Sequence, residues 1–460
     1  MVEKVQTLMR DSKSARWLVL LLVSLTMYAA YFFSDVFSPI HSYIHNSALG
    51  WTNGEYGSFA GAYSLLCVWG GLIICGALLD KGGVRLTGTI FVASMLLGAA
   101  ITAYAVSDGF NTGNGTIFTT LKSWFPNSKP SVILAITGYA IFGLGAEIAG
   151  VAVTKSIAKW FKGKETATAM SLQVSIARLG MATAMVLVPF LVPDGSKVAL
   201  SFSNIALPIR IGGLMLCVGL ATYLVFCVMD AKLDKQESAA KEASGEEDKF
   251  KLSDVGRILT NKYFLMIALL CVFFYCCVFS FNKFAVGMLS ANFSIDVPVA
   301  ATMMALLPIG AIVFTPIFGS IVDFKGKATN LMILGSFIVL FVHAVFAFAP
   351  GIPIFGYAAI VILGIGFSLV PAAMWQSVPR IIPQSKLGTA YSLIYWVQNI
   401  GLWGIPILVG TILDKTKSYF NTELLFMGLA VLAIIVAFIL KITDKKEGKY
   451  HLDKPNKVKA

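Results

Sequence analysis

From end to end, the chain alternates apolar runs of about 20 residues with short polar turns. One run of that length crosses the ~30 Å hydrocarbon core of a bilayer as an α-helix. About twelve are present, centred near residues 27, 67, 96, 144, 178, 217, 273, 309, 338, 363, 398 and 432. In lipid the backbone must satisfy its own hydrogen bonds, and uninterrupted runs do so as helices. A soluble fold is excluded. Only 13% of the 460 residues are charged, about half the usual share of a soluble domain, and mean hydropathy is +0.78. The fold class expected is an all-α membrane protein.

The net charge of +12 would point to nucleic acid in a soluble protein. Here the basic residues sit in short loops at one side of the apolar runs, the positive-inside pattern, so no nucleic-acid partner is expected. An even number of spans puts both termini on that side, the cytoplasm. The first run is long and follows about fifteen polar residues, which reads as a retained helix rather than a cleaved signal peptide. The seven cysteines lie inside apolar runs with no metal-ligand spacing, so no metal, cofactor or disulfide framework is expected. No nucleophile–base pair or Gly-Lys-Ser/Thr phosphate loop stands out, and neither an enzyme nor an ATP-driven pump is expected.

The charged stretch from Asp230 to Asp254 interrupts the apolar pattern. It divides the chain into an N-terminal six-helix bundle over residues 1–230, a cytoplasmic linker over 231–260, a C-terminal six-helix bundle over 261–445, and a basic cytoplasmic tail over 446–460. The halves echo each other. Gly76 to Arg85 and Gly319 to Lys327 both carry a glycine, an aspartate four residues on, then a basic turn. Ile141 to Gly145 matches Ile362 to Gly366 at an offset of 221, and Ala169 to Leu172 matches Ala390 to Leu393 at the same offset. Repeated halves fit a transporter whose two bundles rock about a central site.

Two charges lie deep in apolar sequence, Glu147 and Arg178. Each costs roughly 2.5–3.5 kcal/mol near the bilayer centre. The repeat places Ser368 and Asn399 at the equivalent positions, so the scaffold requires neither charge. An arginine keeps its proton and needs an anionic partner. Arg178 is suited to hold a carboxylate through two parallel N–H bonds, and Glu147 to accept an ammonium. A structural Glu147–Arg178 ion pair is the alternative, and a pair that separates around substrate lies between the two. Further candidates for the cavity are Tyr28, Tyr31, Tyr63, Lys283, Trp375, Tyr395, Gln398 and Asn399. Asp80, Lys81, Arg85, Asp323 and Lys325 are expected to gate or brace the cytoplasmic ends. Asp35 is expected at an outer gate, Lys155 at the inner mouth, and His343 in packing. Ser107 to Pro130 is expected to be an irregular outer loop.

The two Gly-x-x-x-Asp turns, the central linker and the twelve spans resemble the major facilitator superfamily over essentially the whole chain. Trp160 to Glu165, Ser175 to Gly180, Leu387 to Tyr391, Gln398 to Leu402 and Ile412 to Asp414 are similar to its lysosomal dipeptide transporter branch. That resemblance implies the major facilitator fold, alternating access, and a dipeptide site to which Glu147 and Arg178 contribute. The chain departs from the branch at Gly145-Ala146-Glu147 and around Asn282-Lys283. The expectation is a dipeptide or small-zwitterion transporter, either facilitative or proton-coupled through Glu147. An organic-anion transporter clamping with Arg178 and Lys283, and a membrane sensor that binds without transport, are the alternatives. A monomer in contact with membrane lipid is expected, in a cell inner membrane (a lysosomal membrane if the organism is eukaryotic). The resembling branch works with an accessory subunit, which a bacterial relative need not have.

Overall fold

The computed structural model describes residues 8–113, 115–162, 164–193, 200–240, 252–383 and 386–455. Among them there are helices and turns and no strand. Eleven helices are long and apolar enough to span a membrane: α1 (Lys13–Asp35), α3 (Lys81–Ala105), α4 (Pro130–Trp160), α5 (Thr168–Leu191), α6 (Phe202–Gln236), α7 (Lys262–Phe293), α8 (Val297–Lys325), α9 (Ala328–Phe348), α10 (Pro353–Ile381), α11 (Leu387–Thr416) and α12 (Tyr419–Glu447). The expected twelfth, α2, is broken. It runs over Asn53–Leu66, opens into a π turn at Cys67–Gly71, and continues in the helix that starts at Leu72. Gly70 takes φ +93° at the break, a conformation that glycine adopts without steric cost. A second π turn, Cys276–Ser280, interrupts α7. Such turns re-aim side chains and recur at functional sites.

Several sequence boundaries shift. The helix that begins at Phe202 continues to Ala240, beyond the expected bundle limit at 230. The central linker largely lies outside the described residues, apart from a helix over Leu252–Leu259. The loop after α3 is not irregular, for it holds helices at Asp108–Asn111 and Thr116–Trp124. The tail beyond α12 folds back. Leu452 is fully buried, Asp453 accepts from the Thr329 N–H and hydroxyl at 2.8 and 2.6 Å, and Arg380 donates to the carbonyls of His451 and Lys454.

Helices approach closely where a glycine leaves room, as membrane bundles require without a hydrophobic drive between spans. The ideal Cβ position of Gly143 on α4 lies 1.9 Å from the Tyr63 carbonyl oxygen of α2. Gly57 and Gly61 of α2 do the same against Pro406 and Trp403 of α11, which belongs to the other bundle. The half of the molecule away from the termini is thus shut by backbone contact.

Candidate functional site

Glu147 sits midway along α4 and accepts a hydrogen bond from the Tyr63 hydroxyl of α2 at 3.1 Å. Gly143, one turn earlier, brings α2 close enough for that bond. Arg178 of α5 has its guanidinium carbon 5.7 Å from the ring centre of Phe367 on α10. Among the described residues no carboxylate oxygen comes within 4.0 Å of that guanidinium. The two half-buried charges therefore do not pair in this state. Both lie within electrostatic reach of Tyr31 on α1, and the space around that residue is the candidate chamber.

The C-terminal bundle supplies an aromatic wall to it. Trp375 of α10 donates through Nε1 to the Tyr275 hydroxyl of α7 at 3.0 Å. Its ring lies 5.2 Å from Tyr395 and 5.7 Å from Tyr391 of α11. Tyr275 stacks on Phe279 at 5.3 Å, and Phe279 meets Phe367 edge-on. Tyr395 is within electrostatic reach of Tyr31 and Glu147 across the bundle boundary, yet Tyr31 and Tyr395 are 37% and 40% exposed. Exposure of that size at mid-helix positions marks open space beside each ring. An apolar, aromatic chamber with one carboxylate and one guanidinium can orient a small molecule bearing both charges.

Other expected site residues fall elsewhere. Tyr28 is half-buried, and its carbonyl meets the glycine face of α5 at Gly180; no hydrogen bond or ring contact ties its side chain to the chamber among the described residues. Lys283 does not join Arg178. It lies toward the far end of α7, donating to the Ser34 carbonyl at 2.9 Å and pairing with Asp35 at 3.3 Å, because an ammonium in lipid takes the nearest acceptors. Gln398 and Asn399 are packed away rather than presented. Gln398 accepts from the Cys271 thiol, and Asn399 donates to its own helix at the Tyr395 carbonyl.

The gating residues also sort out. The Asp80 side chain lies outside the described residues, and Lys81 and Lys325 are exposed. Arg85 braces the N-terminal bundle, pairing with Asp234 at 2.8 Å and Asp230 at 3.7 Å, while Lys159 joins the same carboxylates. Asp323 lies within electrostatic reach of Arg380. His343 has a partner that sequence reading missed, Glu423 of α12, at 2.6 Å.

Away from the termini the bundles are bonded together. Asp414 at the end of α11 accepts from the N–H groups of Asn53 and Gly54 at 2.9 and 2.7 Å and from Asn53 Nδ2 at 3.0 Å. It thereby caps α2, where a negative charge meets the positive end of the helix dipole. Asn282 donates to Asp35 at 3.0 Å, and the Tyr56 hydroxyl donates to the Lys283 carbonyl. At mid-depth Trp396 Nε1 donates to the Val68 carbonyl in the π turn of α2. Sequence reading missed the roles of Asp414 and Trp396.

A sequence profile of the Major Facilitator Superfamily matches residues 20–402 and 268–458. This chain belongs to that superfamily. Relatives include the lysosomal dipeptide transporter MFSD1 of Bos taurus, 26% identical over 386 residues (83% of this chain and 76% of that one). The Danio rerio protein of the same name is 28% identical over 394 residues, 84% of this chain and 78% of its own. Among solved structures, a D-xylose–proton symporter superposes with TM-score 0.67 at 14% identity, covering 96% of this chain and 99% of that one. The nucleoside transporter NupG gives 0.64 at 13% identity, covering 94% and 99%. The chain has the major facilitator fold, is a multi-pass membrane transporter of this superfamily, and is not an enzyme.

Proposed function

We propose that this transporter moves dipeptides or similar small zwitterions by alternating access. Glu147 receives the substrate ammonium and Arg178 its carboxylate. One observation carries the reading. Among the described residues the two charges do not neutralise each other, and the partner found for each is an uncharged aromatic side chain, Tyr63 for Glu147 and Phe367 for Arg178. A cation–π contact offsets only about 0.5–2 kcal/mol, so a guanidinium held there has most to gain from an incoming anion. The tyrosine- and tryptophan-rich opposite wall suits varied side chains, and the names of the relatives point the same way. The termini are assigned to the cytoplasm, so the chamber faces the cytoplasm in this state.

The test is thermal stabilisation of purified protein by dipeptides, single amino acids, dicarboxylates and sugars, since a ligand that binds the folded state raises Tm with concentration. Dipeptides are expected to stabilise wild type but neither Glu147→Gln nor Arg178→Ala. Liposome uptake then separates a transporter from a sensor. Stabilisation by dicarboxylates alone, indifferent to Glu147→Gln, would refute the zwitterion clamp. The organic-anion alternative draws no support from Lys283, which is engaged with Asp35.

A further inference from the structure

The chain between α1 and α2 forms a short helix, His41–Asn46, wedged where the two bundles close. His41 is 3% exposed. Its ring lies 4.3 Å from Tyr56 of α2 and 4.9 Å, edge-on, from Phe284 of α7. Nε2 meets the Asn53 side-chain oxygen at 3.1 Å. The Asn53 amide nitrogen is committed to Asp414 of the opposite bundle, so the oxygen stays turned toward His41. That makes Nε2 the protonated nitrogen. Nδ1 is then the free one, and it is buried with no hydrogen-bond partner among the described residues. It points to the region of Gly287 on α7, beside the Tyr419 hydroxyl of α12.

We infer that His41 is a proton-binding site built into this gate, and that protonation from the face opposite the termini favours its opening. A second proton would put a charge and an unbonded N–H at Nδ1, in a buried seam between aromatic rings. Separating the bundles exposes the ring to water, where the imidazolium is hydrated. Burial accordingly holds His41 down at about 4 in the closed gate, against an ordinary value of 6.5. The surrounding charged and titratable groups do not reverse this. Asp414 attracts the imidazolium, but burial outweighs it, and its oxygens are already bonded to α2. His45, on the same short helix, opposes the charge and is bonded through Nδ1 to the Trp51 carbonyl. Lys283 of α7 is paired with Asp35 of α1. Tyr56 and Tyr419 are neutral phenols near neutral pH, Lys417 lines the adjoining cavity of about 200 Å³, and Glu423, one turn along α12, is held by His343.

The sign follows from linkage. The closed state binds the proton more weakly, so it is fully favoured above pH ~6.5. It loses ground by about tenfold per pH unit as pH falls from there toward the closed-gate value. Between pH 7.5 and 4.5 the open fraction should rise about 100-fold.

The probe is a Ser42→Cys reporter, which lines the same cavity. It is labelled with 4,4′-dithiodipyridine in purified full-length protein without substrate. Rates are corrected for the reaction of a free thiol at each pH and for the chain lacking the reporter. The expected rise is about 100-fold from pH 7.5 to 4.5, abolished by His41→Gln, which keeps a donor for Asn53, and retained by His45→Gln. A flat profile in the reporter chain overturns the inference, whether or not His41→Gln folds. So does a rise that survives His41→Gln or vanishes with His45→Gln. No substrate enters the measurement, so the dipeptide reading stands or falls separately.

Discussion

Asp414→Ala should loosen the gate by an amount that can be worked from its contacts. The carboxylate accepts three hydrogen bonds that cross the bundle boundary, from two backbone N–H groups and one side-chain amide. A hydrogen bond to a charged group is worth about 1.5–3 kcal/mol, and the helix dipole adds about 0.3–1 kcal/mol. The three share one half-exposed carboxylate, and water replaces part of what is lost, so we take about 2–4 kcal/mol for the set. All of it belongs to the closed state, because α2 and α11 separate when the gate opens. At 1.4 kcal/mol per tenfold, the open fraction rises by about 30- to 700-fold. The assay is modification of Ser42→Cys by a membrane-impermeant maleimide at pH 7.5. The rate follows the open fraction when the gate recloses faster than the thiol reacts. Asp414→Asn keeps an acceptor oxygen without the charge and should fall between parent and Asp414→Ala. A folded Asp414→Ala protein labelled within about threefold of its parent would refute the claim that this cap holds the bundles together.

Gly143→Ala should abolish dipeptide stabilisation, because its Cβ would meet the Tyr63 carbonyl at 1.9 Å and force α2 away from Glu147. Gly428→Ala has nothing within 4 Å and should bind as wild type in the same thermal assay. Glu423→Ala strips the fully buried His343 of its acceptor and should cost about 1–3 kcal/mol. A thiol-reactive dye reporting exposure of the buried Cys271 and Cys277 should show a lower Tm, with a smaller loss for Glu423→Gln.

The spans were legible because lipid leaves one backbone solution to an apolar run. The exception marks the limit of that reasoning. α2 is as apolar as its neighbours near Cys67, yet it opens there. What stabilises the opening is the indole of Trp396 on the other bundle, which takes the Val68 carbonyl. Hydropathy averages over such a bond and misses it. The charged candidates divide by the same logic. Glu147 and Arg178 stand alone in long apolar runs, so their depth was visible. Lys283 was a further cavity candidate by its depth, but Ser34 and Asp35 of α1 hold it, and their proximity depends on how one bundle docks on the other.

The gate was the least legible part, although its residues are ordinary. Asp414 ends a stretch similar to the dipeptide branch, but its partners are main-chain N–H groups about 360 positions away, and a backbone donor leaves no mark on the sequence. Gly57 and Gly61 read as generic small residues until α11 lies on them. Contacts of this kind suit a surface that must open and close. Carboxylate on backbone and glycine on carbonyl bury no long side chain whose rotamers would have to be ordered at each closure. They give a closure strong enough to hold one state, whose net balance against the open state substrate binding or a proton can reverse.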